Sequence, residues 1–265
     1  MEFIVGIYLF IVGASMGSFA GAMAWRIEKG RNVVKERSEC EHCHHQLSIF
    51  DLIPVISWLW LRGTCRYCKK PIGWTAFALE VILGLLFVLS YTFWGYEFTS
   101  LGLVLFVLWL VSLVGLAILF VYDARHFILP DVIVWPLAVL GLLFFILAGS
   151  IDNSLSALTI GAIASLVPIT GVYGALYIVS KGKWIGLGDV KLGVFIGLLL
   201  GWQGALLVLM LSNILGTLWI IPALATKRLT KNDQVPFGPF LILATVVVFF
   251  IGKTVIDGYL TVVGI

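Results

Sequence analysis

The sequence predicts an all-α, polytopic integral membrane protein with about eight transmembrane helices and one large cytoplasmic loop. Hydrophobic residues make up 61% of the chain, charged residues only 12%, and the mean hydropathy is +1.08. A soluble domain carries about 25% charged residues, so the composition excludes that class. Apolar runs long enough to cross a bilayer recur along the chain, and all four cysteines fall in one long polar segment.

The apolar runs define the candidate spans. The first, residues 3–25, lacks the features of a cleaved signal peptide and is predicted to be a retained helix. The others are residues 74–96, 101–122, 132–149, 156–179, 190–201, 205–225 and 237–251. The run 190–201 has 12 residues and is too short for a full span of about 20, so it is tilted, extended by its neighbours or part of a broken segment.

Basic residues predict the orientation of these spans. If the N-terminus lies outside, the inside loops are residues 26–73, 123–131, 180–189 and 226–236. These loops and their flanks then hold 16 of the 17 Lys and Arg residues, and only Lys253 lies outside. The positive-inside rule therefore favours a chain with both termini outside. The formal net charge of +3 reflects this topology and does not indicate nucleic-acid binding.

The spans and the polar segment predict three domains. Residues 1–25 form the first transmembrane helix, residues 26–73 form a cytoplasmic four-cysteine loop, and residues 74–265 form a transmembrane domain that contains the remaining spans.

The cysteines form two C-x2-C motifs, Cys40 with Cys43 and Cys65 with Cys68, with 21 residues between the motifs. Each motif places two thiolates on one tight turn, and two such turns supply the four sulfur ligands of a structural, tetrahedral zinc site. Disulfides or free thiols are the alternative, but a reducing cytoplasm disfavours disulfides. Three neighbouring histidines are expected to be solvated because four thiolates already complete the metal's coordination: His42, His44 and His45.

An apolar segment, residues 49–61, lies between the two cysteine motifs. It is too short to span a bilayer and contains a central proline. It is interpreted either as a re-entrant or interfacial membrane segment or as the hydrophobic core of the loop, and both alternatives stay open.

Two aspartates lie where a long apolar run meets a short polar one. Asp123 ends the third span, and Asp189 begins the sixth within the string Gly186-Leu187-Gly188-Asp189-Val190-Lys191. The predicted topology brings both to the cytoplasmic side. Ionisable groups at membrane depth are costly and persist where they are used or paired. Because hydrolysis of a peptide bond needs one acid and one base, the pair suggests a membrane aspartyl protease.

Two other carboxylates have structural interpretations. Asp131 follows Pro130 and is predicted to cap the fourth span. Glu80 lies about two turns into the second span, where it is a functional candidate or a partner for a loop arginine.

Several motifs occur together in one order along nearly the whole chain. They are Gly17-Ser18-Phe19, the two C-x2-C motifs around residues 52–58, Asp123 with Ile128-Leu129-Pro130-Asp131, the string that contains Asp189, and Pro236-Phe237-Gly238-Pro239-Phe240. This ordered set resembles the bacterial prepilin peptidases, whereas Gly-x-Gly-Asp alone is shared with presenilin-like proteases. In this chain Gly238 is expected to pack closely near the aspartates.

The resemblance implies an aspartyl endopeptidase of the bacterial inner membrane, with Asp123 and Asp189 as the catalytic pair. Its substrates would be type IV prepilins and pseudopilins, whose basic leader is cut after a glycine on the cytoplasmic side. Many members also methylate the new N-terminal amine from S-adenosylmethionine. That cofactor is therefore expected, although the sequence, which has no G-x-G-x-x-G loop, assigns no residues to it.

Two other classes of protein remain as alternatives. A transporter with intramembrane carboxylates predicts repeated halves, which the sequence does not display. A non-catalytic membrane scaffold with a zinc loop leaves the two same-side aspartates without a role. If the chain is a peptidase, the loop acids are expected to receive the basic leader: Glu28, Glu36, Glu39, Glu41 and Asp51.

Overall fold

The computed structural model describes residues 2–32, 37–150, 155–227 and 235–264, and within these ranges the regular structure is helical, without strands. This confirms the all-α fold class. The helices are α1 Glu2–Glu28, α2 Ile56–Trp60, α3 Trp74–Thr92, α4 Ser100–His126, α5 Asp131–Gly149, α6 Leu155–Leu166, α7 Val172–Ser180, α8 Leu187–Ala225 and α9 Gly238–Val263. A 3-10 turn covers Ile49–Leu52, and a π-helical turn, Val167–Gly171, joins α6 to α7. In the described ranges, seven helical segments are long and apolar enough to cross a membrane.

The chain divides into two compact units. The first contains Met1–Gly95 and Leu113–Val121 from the middle of α4. Its main contact is between α1 and α3, which approach so closely that a Cβ atom on Gly17 would lie 2.6 Å from the carbonyl oxygen of Leu79. Only glycine permits this separation of the two backbones.

The second unit contains Tyr96–Ser112 and Tyr122–Ile265. Helix α8 is its centre and packs against α5, α6, α7 and α9. Trp109 of α4 is fully buried and stacks on Phe249 of α9 with ring centroids 3.5 Å apart. The two ends of α4 thus belong to this second unit, and the C-terminal end carries Asp123.

Helix α8 folds back on itself at Gly201, the residue where its backbone leaves helical geometry, with φ 70° and ψ 177°. The Cγ1 atom of Val190 lies 3.7 Å from the position of a Cβ on Gly174, while Nδ2 of Asn213 donates to the hydroxyl of Tyr173 over 3.1 Å. In one straight helix, residues 190 and 213 would be about 35 Å apart. Both reach adjacent residues of α7, so the chain reverses between them.

This reversal accounts for the predicted number of spans. The sixth and seventh candidate spans, residues 190–201 and 205–225, are the two arms of α8. The first arm extends back to Leu187 and runs about 21 Å before Gly201, which is shorter than the hydrocarbon core of about 30 Å. The short sixth predicted span is therefore the first arm of a broken helix, and residues 187–189 extend this arm at its start.

Candidate functional site

Asp123 lies in the last turn of α4. The helix ends because Phe127 adopts the left-handed conformation, φ 59°, and its amide donates to the carbonyl oxygen of Asp123 over 2.9 Å. The Asp123 side chain is buried, and its carboxylate accepts a hydrogen bond from the amide of Gly238. Within the described part of the chain, its Oδ2 atom has no hydrogen-bond partner. One carboxylate oxygen is therefore held by backbone and the other is left to react or bind.

Asp189 lies in the first turn of α8, for which Gly186 is the N-cap residue. Its carboxylate accepts from the amide of Gly186, which is the reciprocal half of a capping box. The Asp189 side chain is also buried. A carboxylate at this end of a helix is stabilised by the unpaired amides of the first turn. The Gly-Leu-Gly-Asp string thus fixes the position of Asp189 through local backbone geometry.

The two aspartates line the same cavity, which has a volume of about 460 Å³. The rest of its wall comes from residues 127–131 between α4 and α5, from residues 186–188, and from Lys191. The cavity therefore lies between the end of α4 and the starts of α5 and α8. The structure brings together the two aspartates that the sequence singled out.

Two glycines allow the backbone to approach this cavity closely. A Cβ atom on Gly238 would lie 2.6 Å from Oδ2 of Asp123, and one on Gly188 would lie 2.9 Å from Cβ of Leu129. Helix α9 begins at Gly238, as the Pro-Phe-Gly-Pro-Phe string predicts. The expected close packing of Gly238 beside the aspartates is confirmed.

Asp131 and Lys191 form an ion pair at the cavity, with Nζ of Lys191 2.7 Å from Oδ1 and 2.9 Å from Oδ2 of Asp131. The sequence did not predict this pair. The expectation that Asp131 caps α5 is wrong, because Pro130 is the N-cap residue and Asp131 lies in the first turn. Lys191 thus engages a carboxylate outside the pair of buried aspartates.

The four cysteines cluster in the first unit. All are free thiols, and their sulfur atoms lie within 4.8 Å of one another, with 3.8 Å between those of Cys40 and Cys68. In a tetrahedral site with Zn–S bonds of about 2.3 Å, sulfur atoms are about 3.8 Å apart. The cluster therefore fits a metal ion, and none of the three neighbouring histidines belongs to it.

The two cysteine turns have the same backbone geometry. The amide of Cys40 donates to the carbonyl of His45 and that of Cys65 to the carbonyl of Lys70, while His44 and Lys69 take equivalent left-handed conformations. Burial acts to raise the pKa of Cys65, but hydrogen bonds, chiefly from the amides of Cys68 and Tyr67, lower it to about 7. Such backbone donors stabilise the thiolate, which is the form that binds a metal.

The thiol of Cys43 behaves differently. The amide of His45 acts to lower its pKa, but burial and the neighbouring thiols of Cys40 and Cys68 outweigh this effect and raise the pKa to about 11. Several thiolates packed together repel one another, so the cluster favours a cation at its centre.

Glu80 of α3 is buried and accepts a hydrogen bond from the backbone of the loop between α1 and α3. Its Oε2 atom accepts from the amide of Val55 over 2.7 Å, and Ser18 of α1 also donates to the carboxylate. The expected pairing with a loop arginine is wrong for the described residues. No sequence pattern predicts this contact, because a backbone amide is present at nearly every residue.

Several of the acids expected to receive a basic leader already have cationic partners. Asp51 lies 2.6 Å from Nε of Arg66, Glu28 lies 2.8 Å from Lys29, and Glu39 pairs with Arg31. Burial acts to raise the pKa of Asp51, but hydrogen bonds from Ser48 and Arg66 lower it. Of the others, Glu36 lies outside the described residues. Three of the five acids thus already pair with cations of the chain itself.

Comparison with known proteins gives consistent matches over most of the chain. Residues 11–94 match the model of the bacterial peptidase A24 N-terminal domain, and residues 110–221 match that of the type IV leader peptidase family. A prepilin leader peptidase/N-methyltransferase of Aeromonas hydrophila is 33% identical over 87% of this chain and 77% of its own length. Proteins of the same description from Stutzerimonas stutzeri and Pseudomonas aeruginosa are 33% and 32% identical, over 86% and 88% of this chain and 76% and 78% of their own lengths. No solved structure matches the chain significantly.

Proposed function

The chain belongs to the type IV leader peptidase family, and on that premise we propose that it removes the leader of type IV prepilins or pseudopilins, with Asp123 and Asp189 as its catalytic pair. The observation that carries the assignment is that both buried aspartates line one cavity of about 460 Å³ at the ends of their helices. The transporter and scaffold alternatives are not favoured, because neither accounts for the relatives' names.

The proposed chemistry is direct hydrolysis. One carboxylate is ionised and takes a proton from a water molecule, whose oxygen attacks the scissile carbonyl carbon. The other carboxyl group is protonated and polarises the carbonyl through a hydrogen bond to its oxygen. The proton taken from water then passes to the leaving amine as the C–N bond breaks, which releases the new carboxyl group and restores the ionised aspartate. Two carboxyl groups held close together share one proton readily, because both do not ionise easily side by side. No covalent intermediate forms.

The backbone around the pair supports this role. The amides of Gly238 and Gly186 each hold one carboxylate in place, and Oδ2 of Asp123 remains available within the described residues to bind the water or the substrate. Fixed backbone donors of this kind keep reacting groups aligned without reorganisation. Lys191 is engaged by Asp131 and is not assigned a chemical step.

We also propose the membrane placement and the metal. The protein is a multi-pass membrane protein. The positive-inside pattern supports a placement in the bacterial inner membrane with both termini outside and the site at the cytoplasmic side. Zinc is the proposed ion at Cys40, Cys43, Cys65 and Cys68, where it would stabilise the loop between α1 and α3. A closed shell of four thiolates leaves no position for a reacting water, so the proposed metal has a structural role.

A second activity follows from the relatives' description as N-methyltransferases. We propose that the newly exposed N-terminal amine is methylated from S-adenosylmethionine, which supplies the methyl group. The described residues mark no binding site for that cofactor, so no residue of this chain is given a role in the transfer. Mass spectrometry of the processed N-terminus, with and without S-adenosylmethionine, tests this activity separately from cleavage.

The test of the peptidase assignment is cleavage of a purified prepilin in detergent. Asp123→Asn and Asp189→Asn should each abolish cleavage, because either change removes one of the two acid/base groups. Asp131→Asn is the matched control: it lines the same cavity but is exposed, and it should retain substantial cleavage. All three variants should insert in the membrane and elute as the parent does. Near-normal processing by either of the first two variants would contradict the assignment.

A further inference from the structure

The apolar segment between the two cysteine motifs has large side chains that contact little of the protein. The exposed fraction is 83% for Ile49, 73% for Phe50, 62% for Ile56 and 82% for Trp60. No residue of the 3-10 turn Ile49–Leu52 or of α2 is buried. The interpretation of this segment as the hydrophobic core of the loop is therefore wrong. An exposed apolar surface of this kind normally marks a binding surface.

One aromatic residue of the segment fixes its position against a membrane span. The ring of Trp58 stacks on Phe77 with centroids 4.5 Å apart and meets the edge of Trp74 at 5.4 Å. Trp74 and Phe77 form the first turn of α3, which is long and apolar enough to cross the bilayer. Helix α2 therefore lies at the level where α3 begins, and Trp is enriched at this membrane boundary.

The backbone of the segment is also bonded to a residue of α3 that follows this first turn. Val55 adopts φ 63°, which a β-branched residue rarely does, and its amide donates to Glu80 over 2.7 Å. Glu80 lies six residues into α3, about 9 Å along the helix axis from Trp74. Irregular backbone at membrane depth is tolerated only where the protein satisfies its polar groups. The buried Glu80 carboxylate does this for Val55.

We propose that residues 49–60 form a membrane anchor, whose exposed apolar side chains lie at the boundary between lipid headgroups and acyl chains. The loop is attached to the helices α1 and α3, so lipid is always within reach of this surface. Arg62, Lys69 and Lys70 are exposed shortly after the segment, in a position to meet anionic headgroups. The combination of an apolar face with flanking cations is typical of interfacial segments.

The occupant of the surface is lipid and not the apolar stem of a substrate. A substrate stem is present only during turnover, whereas Ile49, Phe50 and Trp60 would otherwise be in water throughout the life of the protein. In this proposal, Glu80 holds the backbone of the anchor through Val55 and takes no part in peptide hydrolysis.

The experiment uses the full-length parent protein in vesicles of phosphatidylethanolamine and phosphatidylglycerol that contain a phospholipid with a photoactivatable diazirine on its acyl chain. After illumination, mass spectrometry locates lipid adducts on the loop. We expect adducts on residues 49–60 and none on residues 41–46, which are exposed in the same loop and mostly polar. Adding an excess of prepilin should leave the yield unchanged.

Two variants that each add one negative charge compare a position inside residues 49–60 with a position outside them. Trp60→Asp should lower the adduct yield on residues 49–60 severalfold, whereas His42→Asp, also exposed, should not. Absence of adducts from residues 49–60 of the parent protein would overturn the proposal. Loss of the adducts when prepilin is added would overturn it in favour of a substrate-binding surface. Neither result depends on whether Asp123 and Asp189 are catalytic.

Discussion

Gly238 lies close against the carboxylate of Asp123. A methyl group at this position would lie 2.6 Å from Oδ2 and would push the carboxylate or the start of α9 out of place. We expect Gly238→Ala to lower kcat for prepilin cleavage about a hundredfold, because displacements of about 1 Å have effects of that size. Gly258→Ala in the same helix is the control, since none of the described residues outside its own helical turn lies within 4 Å of the added methyl group. Equal activity of the two variants would show that the contact is unimportant.

The ion pair between Lys191 and Asp131 should contribute little by comparison. The Asp131 side chain is 57% exposed, and exposed pairs contribute about 0–1 kcal/mol. We therefore expect Lys191→Met to change kcat/KM by less than about tenfold, which corresponds to 1.4 kcal/mol. Steady-state kinetics at low and high salt measure this effect. A complete loss of cleavage would place Lys191 in the chemistry, contrary to its pairing in the structure.

The sequence identified the residues whose chemistry is unusual for their surroundings. Asp123, Asp189 and the cysteines stand out because charged or metal-binding groups are rare in such contexts, and Gly238 stands out because prolines flank it. It did not identify the partner of Glu80, which is a backbone amide. The pairing of Lys191 with Asp131 joins residues 60 positions apart, so it depends on packing that no local pattern encodes.

Helix α8 changes direction at one residue. Gly201 has φ 70° and ψ 177°, a conformation almost confined to glycine. We expect Gly201→Ala to destabilise the folded protein by about 1–3 kcal/mol. Thermal unfolding in detergent should reveal a lower Tm than for Gly95→Ala, a control whose added methyl group also meets no atom within 4 Å. An unchanged Tm for Gly201→Ala would mean that the turn carries no such strain.

The paired cysteine turns should act as one metal site. Cys65→Ser should remove the metal from the purified protein, because it replaces a ligand whose thiolate is favoured, with a pKa of about 7. His42→Ala should retain about one zinc per chain, since no histidine belongs to the cluster. Metal should also dissociate as the pH falls, because protons compete for the thiolates. Elemental analysis measures both effects, and metal-free parent protein would exclude the site.

Spans were predictable from the sequence where the apolar run was long and clearly bounded. The first arm of α8 was not predictable in this way, because only 14 residues precede Gly201 and they are too few for a full crossing. Hydropathy measures only the length of an apolar run, and a change of direction within it depends on the conformation of one glycine and on contacts with α7. The extent of α8 therefore needed the structure.

The reversal of α8 determines on which side of the membrane residue 264 lies. Because α8 turns back at Gly201, we expect it to enter and leave the membrane on one side, which places residue 264 on the same side as residue 2, proposed to be outside. An alkaline phosphatase fusion after residue 264 should therefore be active, and one after Lys183 should be inactive. If α8 crossed only once, the C-terminal fusion would be inactive instead.

The contact between Gly238 and Asp123 also has a consequence for biosynthesis. The residues of the proposed site come from α4, from the start of α8 and from the start of α9. A nascent chain that has inserted only its first helices carries Asp123 without its neighbours, and one released before α9 lacks the amide that holds this carboxylate. Proteolytic competence would then appear only when the last helix enters the bilayer, so that a half-made enzyme cannot cleave other membrane proteins during its own synthesis.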